Sequence, residues 1–344
     1  VRKGFIMEKR RSGIVDLFKP VGLHDEFLLR CEQSGVAFYL EERDGFFRSP
    51  CPACGNDEDG ELRFRFEKFG FTHLDCTRCR TTFVSPRPTD EQLTRYYETY
   101  DAPQFWTRLL LETHDDRKKH QHMPRVKALD AFLKESGSER GTFLDIGAGS
   151  GTFSTVVREQ GLFSDVVACD ISPQCVEECR EKGLNAHLGT VADFDDDSLD
   201  CIAMNDLVEH LSEPAPFLAT CLAKLRKNGV LLIGTPNGQG FDFQILGDRT
   251  ENVVPPLHLQ YFNPSSVTEL LHATGFASVS ATTPGILDVS IVRRKVEQGV
   301  VDLAGSNAFL AHLLSLDDPE LEDSLQRFLQ QNRLSSHMLV FARK

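Results

Sequence analysis

The sequence predicts an α/β fold, a parallel sheet covered by helices on both faces, with a small N-terminal metal-binding module ahead of it. Three observations lead there. From Gly141 onward, continuous apolar runs alternate with helical stretches, the pattern of strands buried on both faces. The first of these runs, "FLDIGAGSGTF", passes from a strand through an acid and three glycines into a helix. Upstream, four cysteines fall in two CxxC pairs, Cys51 with Cys54 and Cys76 with Cys79.

The chain as a whole narrows the function classes. At 344 residues it has room for two domains, or for one large domain with an appendage. A net charge of -13 argues against a general nucleic-acid binder, which needs a clustered basic surface. No apolar run is long enough for a membrane span. The opening "VRKGFIMEKRRSG" has no apolar centre of the kind a secretory signal carries. Besides the two pairs, Cys169, Cys175, Cys179, Cys201 and Cys221 sit in strand or helix patterns, so a reduced, cytoplasmic protein with buried thiols is expected.

Each element follows from local pattern. Residues 1–48 carry weak helical signals such as "LHDEFLLRCEQSG" and no recognisable chemistry. Residues 49–85 form the cysteine module, in which Phe64, Phe66, Phe69 and Phe71 nearly alternate with polar residues, predicting a hairpin with Gly70 near its turn. Residues 86–114 form a linker or lid: prolines stop the strand and Thr89 is placed to cap a helix holding Tyr96 and Tyr97. Tyr96, Tyr97, Tyr100 and Trp106 are either that lid or an interdomain hydrophobic cluster. The main domain spans 115–344, with insertions at about 237–263 and 290–333. A polar helix over 114–136 leads into it, and its His114, His120 and His122 are weak candidates for binding an acidic substrate. Strands are predicted at "TFLDIG", "DVVACDI", "LDCIAMND" and "VLLIGTP". Between them lie helices at "GTFSTVVREQG", "SPQCVEECREKG" and "PAPFLATCLAKLRKNG", each closed by a glycine suited to a left-handed C-cap. A helix at "NPSSVTELLHATG", a strand at "FASVSATT", the helical insertion and a last strand at "SSHMLVFARK" complete the domain.

The glycine turn carries most of the chemistry. Its spacing, Gly147, Gly149 and Gly151, is GxGxG, whereas the dinucleotide fingerprint is GxGxxG. Asp145 precedes it, and a carboxylate there repels a pyrophosphate but suits a cationic or amino-bearing ligand. Asp170 ends the second strand, where a carboxylate can accept from both hydroxyls of a ribose. Asp193 follows the third, within reach of an adenine amino group, and Asn205 and Asp206 end the fourth. Ligands of open α/β sheets bind at these carboxyl ends.

With "LDIGAGSGTFS", "ACDIS", "GTVADF", "MNDLVEHLSEP" and "LRKNGVLLIGTPN" in this order, the chain resembles the class I S-adenosylmethionine-dependent methyltransferases over roughly residues 115–344. The resemblance implies a Rossmann-like sheet. It also implies that Asp145, Gly147 and Gly149 contact the methionine part of the cofactor, with Ala148, Gly151 and Phe153 of the same motif. Asp170 would take the ribose, Ile171 would pack on adenine, and Ala192, Asp193, Asn205 and Asp206 would complete the set.

The two CxxC knuckles suit one tetrahedral, structural Zn²⁺ held by Cys51, Cys54, Cys76 and Cys79, with no open position for catalysis. A redox CxxC pair is the alternative; it has no need of the second pair. His73 nearby is expected to be a surface or packing residue. A zinc-ribbon-like module before such a core resembles a bacterial group associated with biosynthetic clusters. That resemblance implies a small-molecule substrate, a sugar or sugar nucleotide first, with O-methylation slightly favoured over C- or N-methylation. Modification of an aromatic or polyketide-like natural product is the alternative, followed by RNA methylation or a non-catalytic binding role. His210, in "NDLVEHL", is either a general base or a structural side chain, and His258, on a loop stiffened by a double proline, is a candidate for positioning or catalysis. Tyr261 and Phe262 are read as packing. Similarity to ubiquinone-type O-methyltransferases adds a further reading, a divalent ion at Asp206, Glu209 and His210.

Overall fold

The structure, a computed structural model, describes residues 13–20, 22–316 and 318–344. Most of the charged opening stretch lies outside the described residues.

The segment before the cysteines is more than a leader. A helix over Leu23–Glu42 buries Phe27, Cys31 and Phe38. These pack with Phe71 of the cysteine module, Tyr96 and Phe105 of the linker and Leu259 of the main domain, in one apolar cluster. Phe38 meets Tyr96 edge-on, with ring centroids 5.1 Å apart. The tyrosines before the core therefore belong to the interdomain cluster, and Tyr97 alone among them turns toward the polar site described below.

The predicted hairpin forms as β1 (Leu62–Lys68) and β2 (Phe71–Cys76), paired antiparallel. Phe69 (φ 55°) and Gly70 (φ 89°) make the two-residue turn; two left-handed residues match the right-handed twist of the strands. Glycine has a second reason there, since a Cβ on Gly70 would lie 2.4 Å from the Tyr39 ring. β3 (Thr82–Val84) adds to β2. His73 is fully buried between the rings of Phe66 and Tyr261, so it is a packing residue and not a surface one.

Thr89 caps the helix Asp90–Thr99 as expected: its hydroxyl accepts from the Gln92 amide at 3.3 Å, and the Gln92 side chain accepts from the Thr89 amide at 3.0 Å. A second helix, Asp101–Glu112, follows, and then the predicted polar helix as three continuous pieces, His114–Arg117, a π-turn at Lys118–His122 and Met123–Ser136. Arg125 follows the π-turn and donates to Asn205 Oδ1 at the end of the fourth predicted strand.

The main domain supplies β4 (Thr142–Ile146), β5 (Asp165–Asp170), β6 (Asn185–Leu188), β7 (Leu199–Asn205) and β8 (Leu225–Pro236). A two-residue β9 (Gln260–Tyr261) follows, then β10 (Ser278–Thr282) and β11 (His337–Arg343). The seven-stranded sheet runs β10-β11-β8-β7-β4-β5-β6. β11 is antiparallel to both neighbours and the remaining pairs are parallel. Chain order reverses between β4 and β7, so the crevice of this fold opens where β4, β5 and β7 end.

Two expectations need correction. The helix over "PAPFLATCLAKLRKNG" ends at Lys224, and Leu225 already pairs with Leu199 in β8. Gly229 is therefore not a C-cap; a Cβ on it would approach the Arg226 carbonyl to 2.8 Å at an irregular register. The second concerns β9, which two residues of mixed polarity do not announce. Its Gln260 and Tyr261 pair with Phe83 and Thr82 of β3, so the cysteine module's sheet runs into the main domain.

The four cysteine sulfurs converge within 4.8 Å of one another. Cys51 Sγ lies 3.4 Å from Cys79 Sγ, and Cys54 Sγ 3.6 Å from Cys76 Sγ. Zn–S bonds of about 2.3 Å at tetrahedral angles put sulfurs about 3.8 Å apart, so the set fits a structural zinc. Cys51→Ser is expected to eliminate stoichiometric zinc in elemental analysis and to lower Tm by about 5 °C or more. A wild-type protein without metal would contradict the assignment.

Candidate active site

All three glycines after β4 are left-handed, with φ of 71°, 52° and 73°, but for different reasons. A Cβ on Gly147 would press on Leu207 at 3.2 Å, and one on Gly151 would come within 2.6 Å of Leu184. Gly149 instead faces open space, so it is the position where a ligand can approach the backbone. Its amide donates to Asp170 Oδ2 at 2.8 Å, and the Ser172 amide donates to Asp170 Oδ1 at 2.9 Å. Each oxygen keeps a further lone pair for a hydroxyl donor. Asp145 is buried behind the turn and accepts from Ser154 Oγ at 2.6 Å. Burial pushes its carboxyl up to about 7, and the Asp170 charge adds to the rise. Burial raises Asp170 as well.

Around this turn, Ile171 is exposed and free to cover a ring. Ala148 is half-buried and Ala192 exposed. Asp193 accepts from the Thr190 amide at 2.8 Å and meets His187 Nε2 at 3.1 Å; the amide first and His187 second hold it below the usual carboxylate range. Phe153 departs from the predicted set, because its ring is 3% exposed and packs in the core against Phe143 and His122. His114 meets Thr152 Oγ1 at 2.9 Å beside the turn, while His120 packs on Phe18.

A second group of polar side chains gathers after β7. Asp206 takes a left-handed conformation (φ 54°) that carries it away from the following turn. Its Oδ1 lies 3.1 Å from His337 Nε2 and its Oδ2 3.6 Å from Arg125. Burial would raise this carboxyl, but the Arg125 charge and the His337 contact outweigh it and hold it far below the usual range. Asn205 Oδ1 accepts from Arg125 at 2.8 Å. Asp206 is thus engaged elsewhere, and the divalent-ion set expected at Asp206, Glu209 and His210 does not form as such.

The side chains that do converge are Glu209, His210 and His258, whose ligand atoms lie within 4.8 Å. The two imidazoles stand nearly perpendicular, centroids 4.7 Å apart. His258 Nδ1 donates to the Asn252 carbonyl at 2.7 Å, which leaves Nε2 as its basic nitrogen. His210 Nδ1 shares a 2.8 Å hydrogen bond with the Tyr97 hydroxyl. Burial pushes His210 down to about 3, aided by the neighbouring His258, which resists a second positive charge, and burial pushes His258 to about 4, so both are neutral at pH 7. Glu209 is fully buried, accepts from Thr235 Oγ1 at 2.9 Å, and rises to about 8 through burial and the Asp206 charge. Arg125, Asn252, Thr235 and His337 are given no role by the motifs, and Tyr97 is expected only in a lid or an interdomain cluster. Only His337, a polar residue opening an otherwise apolar strand, carried a local signal.

Residues 125–281 match the family described as "Methyltransferase domain". A probable S-adenosylmethionine-dependent methyltransferase of Mycolicibacterium smegmatis is 25% identical over 204 residues, 54% of this chain and 75% of that protein. A ubiquinone biosynthesis O-methyltransferase of Xylella fastidiosa is 27% identical over 131 residues, 35% of this chain and 52% of that protein. The chain thus spans about half the length of the second relative. Among solved structures, a SAM-dependent methyltransferase of Thermotoga maritima, described as a possible histamine N-methyltransferase, covers 70% of this chain and 98% of its own at 14% identity, with a TM-score of 0.46. On the family match and the curated relatives, residues 125–281 are a methyltransferase domain. Its cofactor is S-adenosylmethionine.

Asp170→Ala is expected to weaken S-adenosylhomocysteine binding at least 100-fold in calorimetry while circular dichroism stays unchanged. Affinity within twofold of wild type would remove Asp170 from the ribose site.

Proposed function

We propose that this domain methylates a hydroxyl of a small biosynthetic metabolite, with a sugar or sugar nucleotide as the leading class. The observation that carries the reading is the neutral, half-buried pair His210 and His258, one of which follows β7, on the same edge as the glycine turn. Bound S-adenosylmethionine supplies an electrophilic methyl group on a sulfonium. The protein must then align an acceptor in line with it and remove the acceptor's proton. Asp145, Asp170, Asp193 and the open face of Gly149 hold the donor in this reading. His258, with Nδ1–H fixed on Asn252, takes the hydroxyl proton on Nε2. The Asp206 charge favours the imidazolium that results. His210, tied to Tyr97, shapes the wall beside it. The ubiquinone O-methyltransferases among the relatives agree with an oxygen acceptor. An aromatic metabolite is the second acceptor class.

One observation favours a second role for the same cluster. Glu209 Oε1 is buried and has no hydrogen-bond partner among the described residues. Two imidazoles and this carboxyl form a donor set that suits a divalent transition metal, with Thr235, Tyr97 and Asn252 orienting them from behind. The ion would position the acceptor oxygen. Elemental analysis separates the two roles: a bound metal beyond one zinc per chain, lost in His258→Ala, supports the ion, and zinc alone supports the general base.

Two outcomes test the main reading. In a screen of sugar nucleotides and phenolic acceptors with methyl-labelled cofactor, His258→Ala is expected to lower turnover about 10²-fold or more with S-adenosylhomocysteine affinity within twofold. Because burial depresses the His258 pKa, the base is free across neutral pH. Turnover should hold from pH 8 to pH 6 and fall only as the imidazole protonates, on an acid limb well below the usual histidine value of about 6.5. A limb at 6.5 or above would contradict His258 as the base.

A further inference from the structure

The wall that carries Glu209, His210 and His258 is held by the cysteine module. Leu259, next to His258, lies between the two: its amide donates to the Glu209 carbonyl at 2.8 Å, and its carbonyl accepts from the Val84 amide of β3 at 2.8 Å. Beside this ladder runs a side-chain connection. Gln260 is fully buried, and its Nε2 donates to the carbonyls of Val208 at 2.7 Å and Leu211 at 2.8 Å, the residues on either side of Glu209 and His210. Its Oε1 accepts from Arg87 Nη1 at 3.1 Å. Only this orientation of the amide satisfies all three contacts. Arg87 Nη1 also donates to the Ser212 carbonyl at 2.9 Å, and Nε to the Val84 carbonyl at 3.1 Å. Main-chain bonds with Phe47 anchor Arg87 from the other side.

A fully buried guanidinium is a poor choice for stability alone, since an apolar residue of similar size costs less to bury. The acceptors of Arg87 show what it is used for. They lie on the module's last strand, on the end of the turn that carries Glu209 and His210, and on the residue that brackets that turn. We propose that Arg87 and Gln260 are positioning residues, a relay by which the N-terminal module sets the Glu209–His210 turn against His258. The inference rests on the reading of that turn and His258 as the acceptor wall. It adds that the wall's geometry is imposed from outside the methyltransferase domain.

The test reads geometry without needing the acceptor. Full-length protein carrying ¹⁵N-labelled histidine is observed by NMR at one fixed pH as wild type, Gln260→Met and Arg87→Lys, with zinc content and S-adenosylhomocysteine affinity measured in parallel. Gln260→Met is expected to move the His210 and His258 ring signals by more than their linewidths while the other histidine signals hold. Zinc should stay stoichiometric and S-adenosylhomocysteine affinity within twofold. Arg87→Lys, which keeps the charge but loses the fork, should give a smaller shift of the same signals. Unchanged His210 and His258 ring signals in both variants would overturn the relay, even if Tm falls. Should Gln260→Met not fold, Arg87→Lys decides by the same two outcomes. The ring signals do not depend on turnover, so the relay can fail while the activity of His258 stands, and the reverse.

Discussion

Four carboxyl groups, Asp145, Asp170, Asp206 and Glu209, come together at the carboxyl edge of one sheet, three of them in surroundings that raise their affinity for protons. Their mutual repulsion and desolvation are the constraint from which the rest of the site follows. Asp206 is relieved by Arg125 and by contact with His337. Among the described residues, the hydrogen-bond donors to Asp145, Asp170 and Glu209 are neutral, Ser154, two backbone amides and Thr235, and all three carboxyls are raised. In the proposed reading, a sulfonium ligand bearing an ammonium group would add positive charge there. An anionic pyrophosphate would add to the repulsion.

The surroundings are arranged to sustain that edge. The π-turn at Lys118–His122 and the helix after it bring Arg125 to Asn205 and Asp206, and the antiparallel β11 brings His337 from the far end of the domain. Tyr97 reaches in from the linker helix to His210, and β3 pairs with β9 next to His258. Residues 49–85 and 86–114 therefore touch the segment that carries His210 and His258, through β3 and Tyr97. In the proposed reading they would close the acceptor side, and the zinc-fitting cysteines would brace that wall.

Legibility in the sequence divides along the same line. The donor side is local: an acid, three glycines and a strand-end carboxylate lie within a few residues of one another, and their spacing encodes backbone geometry that sterics require. Buried parallel strands read as apolar runs for the same reason, and the Phe69–Gly70 turn was legible from alternation and a glycine. The acceptor side is assembled from residues far apart in the chain, Tyr97, Asn252, Gln260 and His337 among them, and no local pattern records which of them meet. Phe153 shows the converse, since a motif position sets it beside the glycine turn while its ring packs in the core. Asp206 sits where the motif puts it, yet its left-handed backbone gives it to Arg125 and His337 instead of to Glu209 and His210.

The most direct test of an acidic edge awaiting a cationic donor is the proton balance of cofactor binding. Calorimetric titration of S-adenosylmethionine at pH 7, in buffers of different ionisation enthalpy, counts protons exchanged. Asp145 lies near 7 and Glu209 near 8 in the free protein, and a neighbouring positive charge stabilises their ionised forms and lowers both. The account predicts net proton release of about half a proton or more per site, since a group titrating at 7 is half protonated there. Binding with no proton release, or with uptake, would contradict it.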